Sequence, residues 1–391
     1  MELDLSPDDA AFRDRVRAWF DEHLVGEYAE HRGIGTATGV ADWDVQLRWE
    51  RELAAAGFLS IRWPVEYGGQ GGTLNQELAF LIEFVRARAP YWVGVHGRDL
   101  FGPTLLRFGT PDQKARFLPP ITRVEEFWGQ GFSEPDAGSD LAGLRTRAEL
   151  RGDEWIVTGH KIWMSLGMYA DWLYVLCRTD PDAPAHAGIS MLMVPRHQPG
   201  VEVRPIRNLA GDAEFCEVFL DGARTDADLV VGGVNNGWQV AMGTLGTERI
   251  LTTLPAQLGF PFEVGALRAA VSARGLDANP VARHQLVEAW VGLRVQELLL
   301  ERNLATIRAG GDPGFYASLA KLSWSGWHRT FGEIAMNLIG PAAMLVEDGY
   351  ALSELQRVFL ESRAETIYGG ASEIQRNIVG ERILGLPREP R

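Results

Sequence analysis

Cysteine is scarce: the 391 residues contain two, Cys177 and Cys216. They stand in separate apolar segments, LYVLCRT and EFCEVFL, without metal-ligand or CxxC redox spacing. That argues against a disulfide framework and for two buried free thiols in a reducing compartment. No apolar run approaches the roughly eighteen residues needed to cross a bilayer. The opening MELDLSPDDAAF is acidic where a signal peptide would be basic, so a cytoplasmic protein with no membrane span is expected. Positive charge is also short. Lys and Arg number 38 against 52 Asp and Glu, a net charge of −14, which argues against nucleic acid or an anionic membrane as the main partner. A local arginine cluster inside such a chain could still hold an anionic small ligand. The GxGxxG turn of a dinucleotide fold is absent, and Gly68-Gly69-Gln70-Gly71-Gly72 follows no strand pattern and reads as a loop. Repeats, low-complexity tracts and a metal-ligand set are lacking too.

What is present divides into three blocks, in a chain longer than one core usually supports. Residues 1–125 carry helical periodicity: Ser6-Pro7 with two aspartates opens a helix, and VQLRWERELAAAGF (45–58) ends at Gly57. NQELAFLIEFVRARA (75–89) ends at Pro90, and PDQKARFLPPI is expected to stop at its proline pair. Over 126–232 the period drops to two, in EWIVTGHKIWMS, DWLYVLCRT, GISMLMVPR, VEVRPI and EFCEVFL. Helices return over 233–391, the longest expected at 281–309, followed by 319–340 and 353–367. Helical, β and helical blocks in this order predict an α+β protein with segregated layers.

Two segments carry chemistry. QGFSEPDAGSD (130–140) places Ser133, Glu134 and a fixed turn at Pro135 before Gly138-Ser139-Asp140. Its hydroxyls and free backbone N–H groups suit a polar ring edge or an anionic tail. HKIWMS (160–165) follows, with Trp163 two residues before Ser165. In a strand those side chains share a face, so a flat heterocycle could stack on one and bond the other. The bland reading is a turn and a half-buried strand.

In their order these segments resemble the acyl-CoA dehydrogenase family of flavoproteins. The likeness begins at WPVEYGGQGG (63–72), passes through FGTPDQKARFLPPI (108–121) and ends in YGGASEIQRNIVGERILG (368–385). It implies an N-terminal helical domain, a β-barrel-like middle domain and a C-terminal four-helix bundle. It also implies FAD, an acyl-CoA substrate and electron-transfer flavoprotein as acceptor. The family's reaction removes a proton beside a thioester carbonyl and passes the β-hydrogen to flavin as hydride, so it needs a base, a polarised carbonyl and a dry site. By resemblance, Gln130, Phe132, Ser133, Trp163 and Ser165 contact the flavin ring region. Ser139 matches a serine touching the CoA part and also counts among the cofactor contacts. Arg249 matches a buried arginine beside the site, Arg274 the arginine that reaches a neighbouring subunit's flavin diphosphate, and Gln285 a further cofactor contact.

The base is where the chain becomes specific. Many members carry Tyr-Glu-Gly-Thr late in the chain, and that glutamate is the base; here the segment reads Tyr368-Gly369-Gly370-Ala371. Isovaleryl- and long-chain-type members place it on an earlier helix, before the arginine, and this chain has Glu248 before Arg249. The resemblance therefore implies Glu248 as base and the Gly369 N–H as a donor to the thioester. Glycine at 369 leaves room for a branched or bulky acyl group. Short branched, long-chain and sterol side-chain thioesters all fit these residues.

Some positions depart from the pattern. Gly246 replaces an aspartate, Asp277-Ala278 a Phe-Gly, and Gly340-Pro341 the Gly-Gly that lines the flavin tail; Ala371 lacks a usual hydroxyl. Proline removes an N–H donor. One flavin half intact and the other eroded resembles actinobacterial α2β2 assemblies of two homologous subunits, with a homotetramer as the other arrangement. Two further readings compete: an accessory, non-catalytic subunit, and a flavin oxidase or monooxygenase relative. Glu248 argues against the monooxygenase.

Overall fold

The computed structural model describes residues 5–33, 42–247, 253–311, 314–346 and 348–388. Helices come first: α1 (Pro7–His23), α2 (Gly26–Glu30), α3 (Trp43–Ala55), α4 (Leu74–Ala87), α5 (Gly102–Phe108) and α6 (Pro111–Thr122). Local chemistry sets their ends. Ser6 accepts the Asp9 N–H at 3.2 Å, and Pro7 fills the first turn, where its missing N–H is harmless. After α3 the chain turns at Gly57 (φ 75°), with Phe58 N–H on Leu53 O and Gly57 N–H on Ala54 O, a Schellman closure. One expectation fails. Helix α6 does not stop at its proline pair but runs through Pro119 and Pro120 to Thr122. The carbonyls they leave without N–H donors belong to Ala115 and Arg116, both solvent-exposed residues, so water can serve them.

The middle of the chain forms eight strands: β1 (Trp128–Gly131), β2 (Arg147–Arg151), β3 (Glu154–Ser165), β4 (Trp172–Arg178), β5 (Ile189–Pro195), β6 (Val201–Ile206), β7 (Phe215–Asp226) and β8 (Val230–Val231). Their order is β6-β7-β3-β2-β4-β5-β8, with β1 parallel beside β4. The ladder is open between β6 and β8, yet the sheet curls: near the end of β7, Thr225 Oγ1 donates to Met193 O on β5. Inside the curl pack Trp155, Val157, Leu173, Val175, Leu192 and Val218. The other face meets α5–α6 and the following helix through Phe101, Phe117, Trp128, Tyr174 and Val240. Cys177 and Cys216 are buried free thiols; burial pushes their pKa values up to about 12 and about 11, so they stay protonated and inert.

Helices α7 (Gly237–Thr247), α8 (Leu254–Ala273), α9 (Pro280–Arg308), α10 (Gly314–Ile339), α11 (Glu354–Glu365) and α12 (Ser372–Asn377) complete the fold. Leu267, Ala289, Phe331, Ala335 and Val358 form the core of α8–α11. Leu254, Leu300 and Leu304 join the N-terminal core of Trp49, Phe80 and Phe84. The two helical layers therefore meet each other as well as the sheet. Among the described residues no helix is long and apolar enough to cross a membrane.

Candidate active site

Strand β1 carries Gln130 and delivers the chain into the 132–140 loop. It can lie this close because of its glycines: a Cβ on Gly129 would sit 2.6 Å from Met164 Sδ, and one on Gly131 3.1 Å from Val175 Cγ2. Beyond buried Phe132 the backbone folds into a small bridge between Glu134 and Ala137. The Glu134 carboxylate points inward. Its Oε2 accepts the Arg145 N–H at 2.7 Å, and its Oε1 accepts the Thr146 N–H at 2.9 Å and Lys161 Nζ at 2.8 Å. Lys161 also donates to Phe132 O at 3.0 Å. Glu134 is thus a clamp and not a ligand-facing group. Burial would raise its pKa, but Lys161 and the surrounding donors outweigh that and hold it below the usual carboxylate range. Lys161, fully buried, has its own pKa pulled down by burial against the pull of Glu134. Sequence reasoning missed Lys161. Its signal was a lysine at the inward phase of a strand that buries Trp155 and Val157.

The clamp leaves Ser133 half-buried and Ser139 exposed on the loop. Ile162 N–H donates to Ser133 O at 3.0 Å, which joins the two sequence segments directly. Strict alternation would then put Trp163 on the same side as buried Lys161. Instead the β3–β7 register shifts between Lys161 and Met164, and Trp163 takes φ 60°. The bulge sends Met164 inward and leaves Trp163 59% exposed, with Ser165 half-buried beyond it. A non-glycine residue in that backbone region stores on the order of 1–3 kcal/mol, and such outliers concentrate at ligand sites. Phe215 stands edge-on to the indole at 6.2 Å.

At the C-terminal end, Gly369 and Gly370 adopt φ 61° and 94°, conformations that side chains disfavour. Their carbonyls both face the buried Gln375 amide, at 3.3 and 3.4 Å. Among the described residues no acceptor takes the Gly369 N–H. Gln375 is a second residue the sequence did not reveal. Ala371 occupies the N-cap of α12 and offers no side-chain acceptor, so its missing hydroxyl is a missing helix cap.

The remaining positions lie elsewhere. Glu248 and Arg249 fall outside the described residues, in the segment between α7 and α8. Arg274 follows α8 and donates to Ala270 O at 2.9 Å, while Gln285 is half-buried on α9. Both belong to the helical bundle and not to the β1–β3 site. Pro341 is exposed at the start of the turn after α10. A cavity of about 80 Å³ between Ser60, Phe80, Trp92, Arg98 and Pro255 is well below the ~300–1,000 Å³ of typical ligand pockets, so it does not offer room for an acyl chain.

Comparison with known proteins agrees with this architecture. Residues 6–125, 129–223 and 235–384 match the N-terminal, middle and C-terminal domain models of acyl-CoA dehydrogenases. The chain is similar to acyl-CoA dehydrogenase IpdE1 of Mycobacterium tuberculosis, at 47% identity over 381 residues, covering 97% of this chain and 98% of that protein. Among solved structures it is similar to the Tcur3481-Tcur3483 steroid ACAD, with a TM-score of 0.87, 29% identity and 100% of both chains covered. The ChsE4-ChsE5 complex from Mycobacterium tuberculosis gives a TM-score of 0.81 at 29% identity, again covering 100% of both chains. The chain belongs to the acyl-CoA dehydrogenase family, FAD-binding flavoproteins that oxidise the CH–CH group of acyl-CoA thioesters.

Proposed function

We propose that this chain is an FAD-dependent dehydrogenase in which Glu248 takes the α-proton of an acyl-CoA thioester while the Gly369 N–H polarises its carbonyl. The observation that carries the reading is the Gly369 N–H itself, which no acceptor among the described residues takes, on a backbone whose carbonyl Gln375 holds. An N–H fixed in this way is suited to the negative charge that grows on the thioester oxygen as the proton leaves. Because residue 369 has no side chain, the base must come from elsewhere, and Glu248 is the carboxylate the family pattern offers.

The residues present fit the cofactor. Trp163 offers an exposed, backbone-strained aromatic face, with the Ser133 and Ser165 hydroxyls on neighbouring chain segments and Gln130 and Phe132 leading into them. FAD, when bound, supplies the acceptor for the β-hydrogen. Ser139 and Arg249 are assigned to the substrate side. Arg274 is assigned to a neighbouring subunit's flavin diphosphate, which a guanidinium suits, and Gln285 to the cofactor.

The substrate we infer is a branched or bulky acyl-CoA, including one with a sterol side chain. The absence of a side chain at Gly369 and the likeness to a steroid ACAD support it. The working domain division is 1–125, 126–232 and 233–391. The assembly is a homotetramer or an α2β2 complex in the cytoplasm that passes electrons to electron-transfer flavoprotein. Pro341 and Asp277, together with the likeness to the ChsE4-ChsE5 complex, favour a second reading in which this chain needs a homologous subunit. Flavin content of the chain expressed alone, with and without such a subunit, separates the two.

Glu248→Gln tests the mechanism. It should keep FAD and thioester binding and lose turnover by on the order of 10²–10⁴-fold. Flavin reduction at the wild-type rate would remove Glu248 from the role of base.

A further inference from the structure

We propose that Lys321 and His328, one above the other on α10, are positioning residues that lock the end of α11 and so aim the Gly369 N–H at the thioester. The inference rests on the reading of Gly369 given above. His328 lies fully buried between two buried carboxylates. Its Nδ1 is 2.7 Å from Glu365 Oε2 on α11, and its Nε2 is 2.7 Å from Glu263 Oε2 on α8. Burial disfavours the charged ring, but Glu365 and Glu263 outweigh it and raise its pKa to about 10. At neutral pH the imidazolium therefore donates from both nitrogens.

Lys321 is buried one face-repeat earlier, and its Nζ donates to the backbone carbonyl of the same Glu365. That carbonyl is among the last of α11, which have no N–H further along the helix to bond. An ammonium there satisfies it and also opposes the negative end of the helix dipole. The same Nζ stands 4.7 Å from the Tyr368 ring centroid and 4.5 Å from that of Trp324. One residue beyond Tyr368 comes Gly369.

The location of this network is what gives it a task. Two successive glycines at positive φ are permissive backbone and cannot fix the direction of their own N–H groups. The segment is held from outside instead. His328 and Lys321 grip Glu365 and Tyr368 on the α10 side, Ser372 N–H bonds Thr366 O at 3.0 Å, and Gln375 takes the glycine carbonyls on the α12 side. Through Glu263 the imidazolium also anchors α8, the helix that follows the 248–252 segment carrying the proposed base. Burying ions only to stabilise a bundle is a poor strategy, since apolar residues of similar volume do as well or better.

The test compares Lys321→Met, Lys321→Arg and His328→Gln with the wild-type holoenzyme. Three readouts are taken: flavin reduction by acyl-CoA, amide exchange of the 366–371 peptide with and without FAD, and the long-wavelength band formed with a 3-thia-acyl-CoA. That analogue can lose its α-proton but, with sulfur at the β position, passes no hydride. Lys321→Met should retain FAD and KM, lower kcat on the order of tenfold, weaken the band and speed exchange at 366–371. That is a smaller effect than the ~10²–10³-fold seen on removing an oxyanion donor outright. Lys321→Arg should recover most of each signal, and His328→Gln should follow Lys321→Met. Unchanged kcat, band and exchange in Lys321→Met overturn the proposal. So does loss of FAD and helix content in proportion to activity with no recovery in the arginine variant, which is the outcome of a merely structural role. Failure of the wild type to form the band or to reduce its flavin with any thioester overturns the underlying reading of Gly369 instead.

Discussion

Lys161 Nζ lies 2.8 Å from Glu134 Oε1, with both side chains almost wholly out of solvent although 27 residues separate them in the chain. The pair ties the loop bearing Ser133 to the strand bearing Trp163. Half of the proposed ring site therefore depends on an ion pair that touches no ligand.

Removing one partner should show this. Glu134→Gln leaves a buried ammonium without its counter-charge, a loss typically near ~3–5 kcal/mol. Thermal or urea unfolding should register it, together with weaker FAD retention. Glu134→Gln combined with Lys161→Met should recover much of the stability, because the orphaned charge is gone. If the single substitution left unfolding and flavin retention unchanged, the clamp would have no role.

Trp163 should behave in the opposite way. It is 59% exposed, so Trp163→Ala removes less buried area than the loss of a core tryptophan would, and alanine keeps the Cβ that strains φ 60°. The unfolding midpoint of the apo chain should hardly move. FAD retention should fall and the visible flavin band should shift. A large stability loss with a normal flavin spectrum would mean that the indole serves packing alone.

The contrast between these residues shows what a sequence can convey. Alternation along EWIVTGHKIWMS places the strand and buries Trp155 and Val157 on one phase. The bulge at 162–163 is not written in that pattern, since it depends on Ile162 bonding Ser133 across a tertiary contact. Helix ends with a local chemical cause, such as Ser6 and Gly57, are legible. The passage of α6 through Pro119 and Pro120 is not, because it turns on which carbonyls face water. The two segments that Ile162 and Ser133 join were readable as motifs, but the bond between them was not. The Glu263–His328–Glu365 network, whose partners lie 65 and 37 residues from the histidine, has no local signature at all. Gly369 was legible as a missing base but not as a left-handed backbone position.

That network makes a pH prediction. The His328 pKa in the folded protein is raised from 6.5 to about 10 by Glu365 on α11 and Glu263 on α8, against the effect of burial, with buried Lys321 on its own helix. A raised folded-state pKa contributes stability that is fully present below about 6.5 and is lost as pH rises through about 10. The stability difference between wild type and His328→Gln should therefore be largest near or below pH ~6.5 and shrink toward pH ~10. Urea midpoints of both proteins across that range measure it. A difference that grew with pH would contradict the imidazolium assignment.

The last prediction concerns assembly. Helix α9 exposes Val287, Trp290, Val291, Val295 and Leu298, at the i, i+3, i+4, i+8 and i+11 positions of one stripe, while its other face packs on α8 and α10. Met344, Leu345 and Leu386 add further exposed apolar surface toward the C-terminal end. So much apolar surface on one bundle fits burial between subunits, where obligate interfaces commonly exceed ~2,000 Å² in total. Trp290→Lys should then shift the solution mass downward, because a desolvated ammonium cannot occupy an apolar interface. FAD should be lost in parallel if Arg274 completes a partner's flavin tail. Mass by light scattering and FAD per chain are to be measured together, with the chain alone and with a homologous subunit. One firmly held FAD per chain in a homotetramer removes the α2β2 reading. A flavin-poor species restored by the second subunit supports it, and a stable monomer whose mass is indifferent to Trp290→Lys contradicts both arrangements.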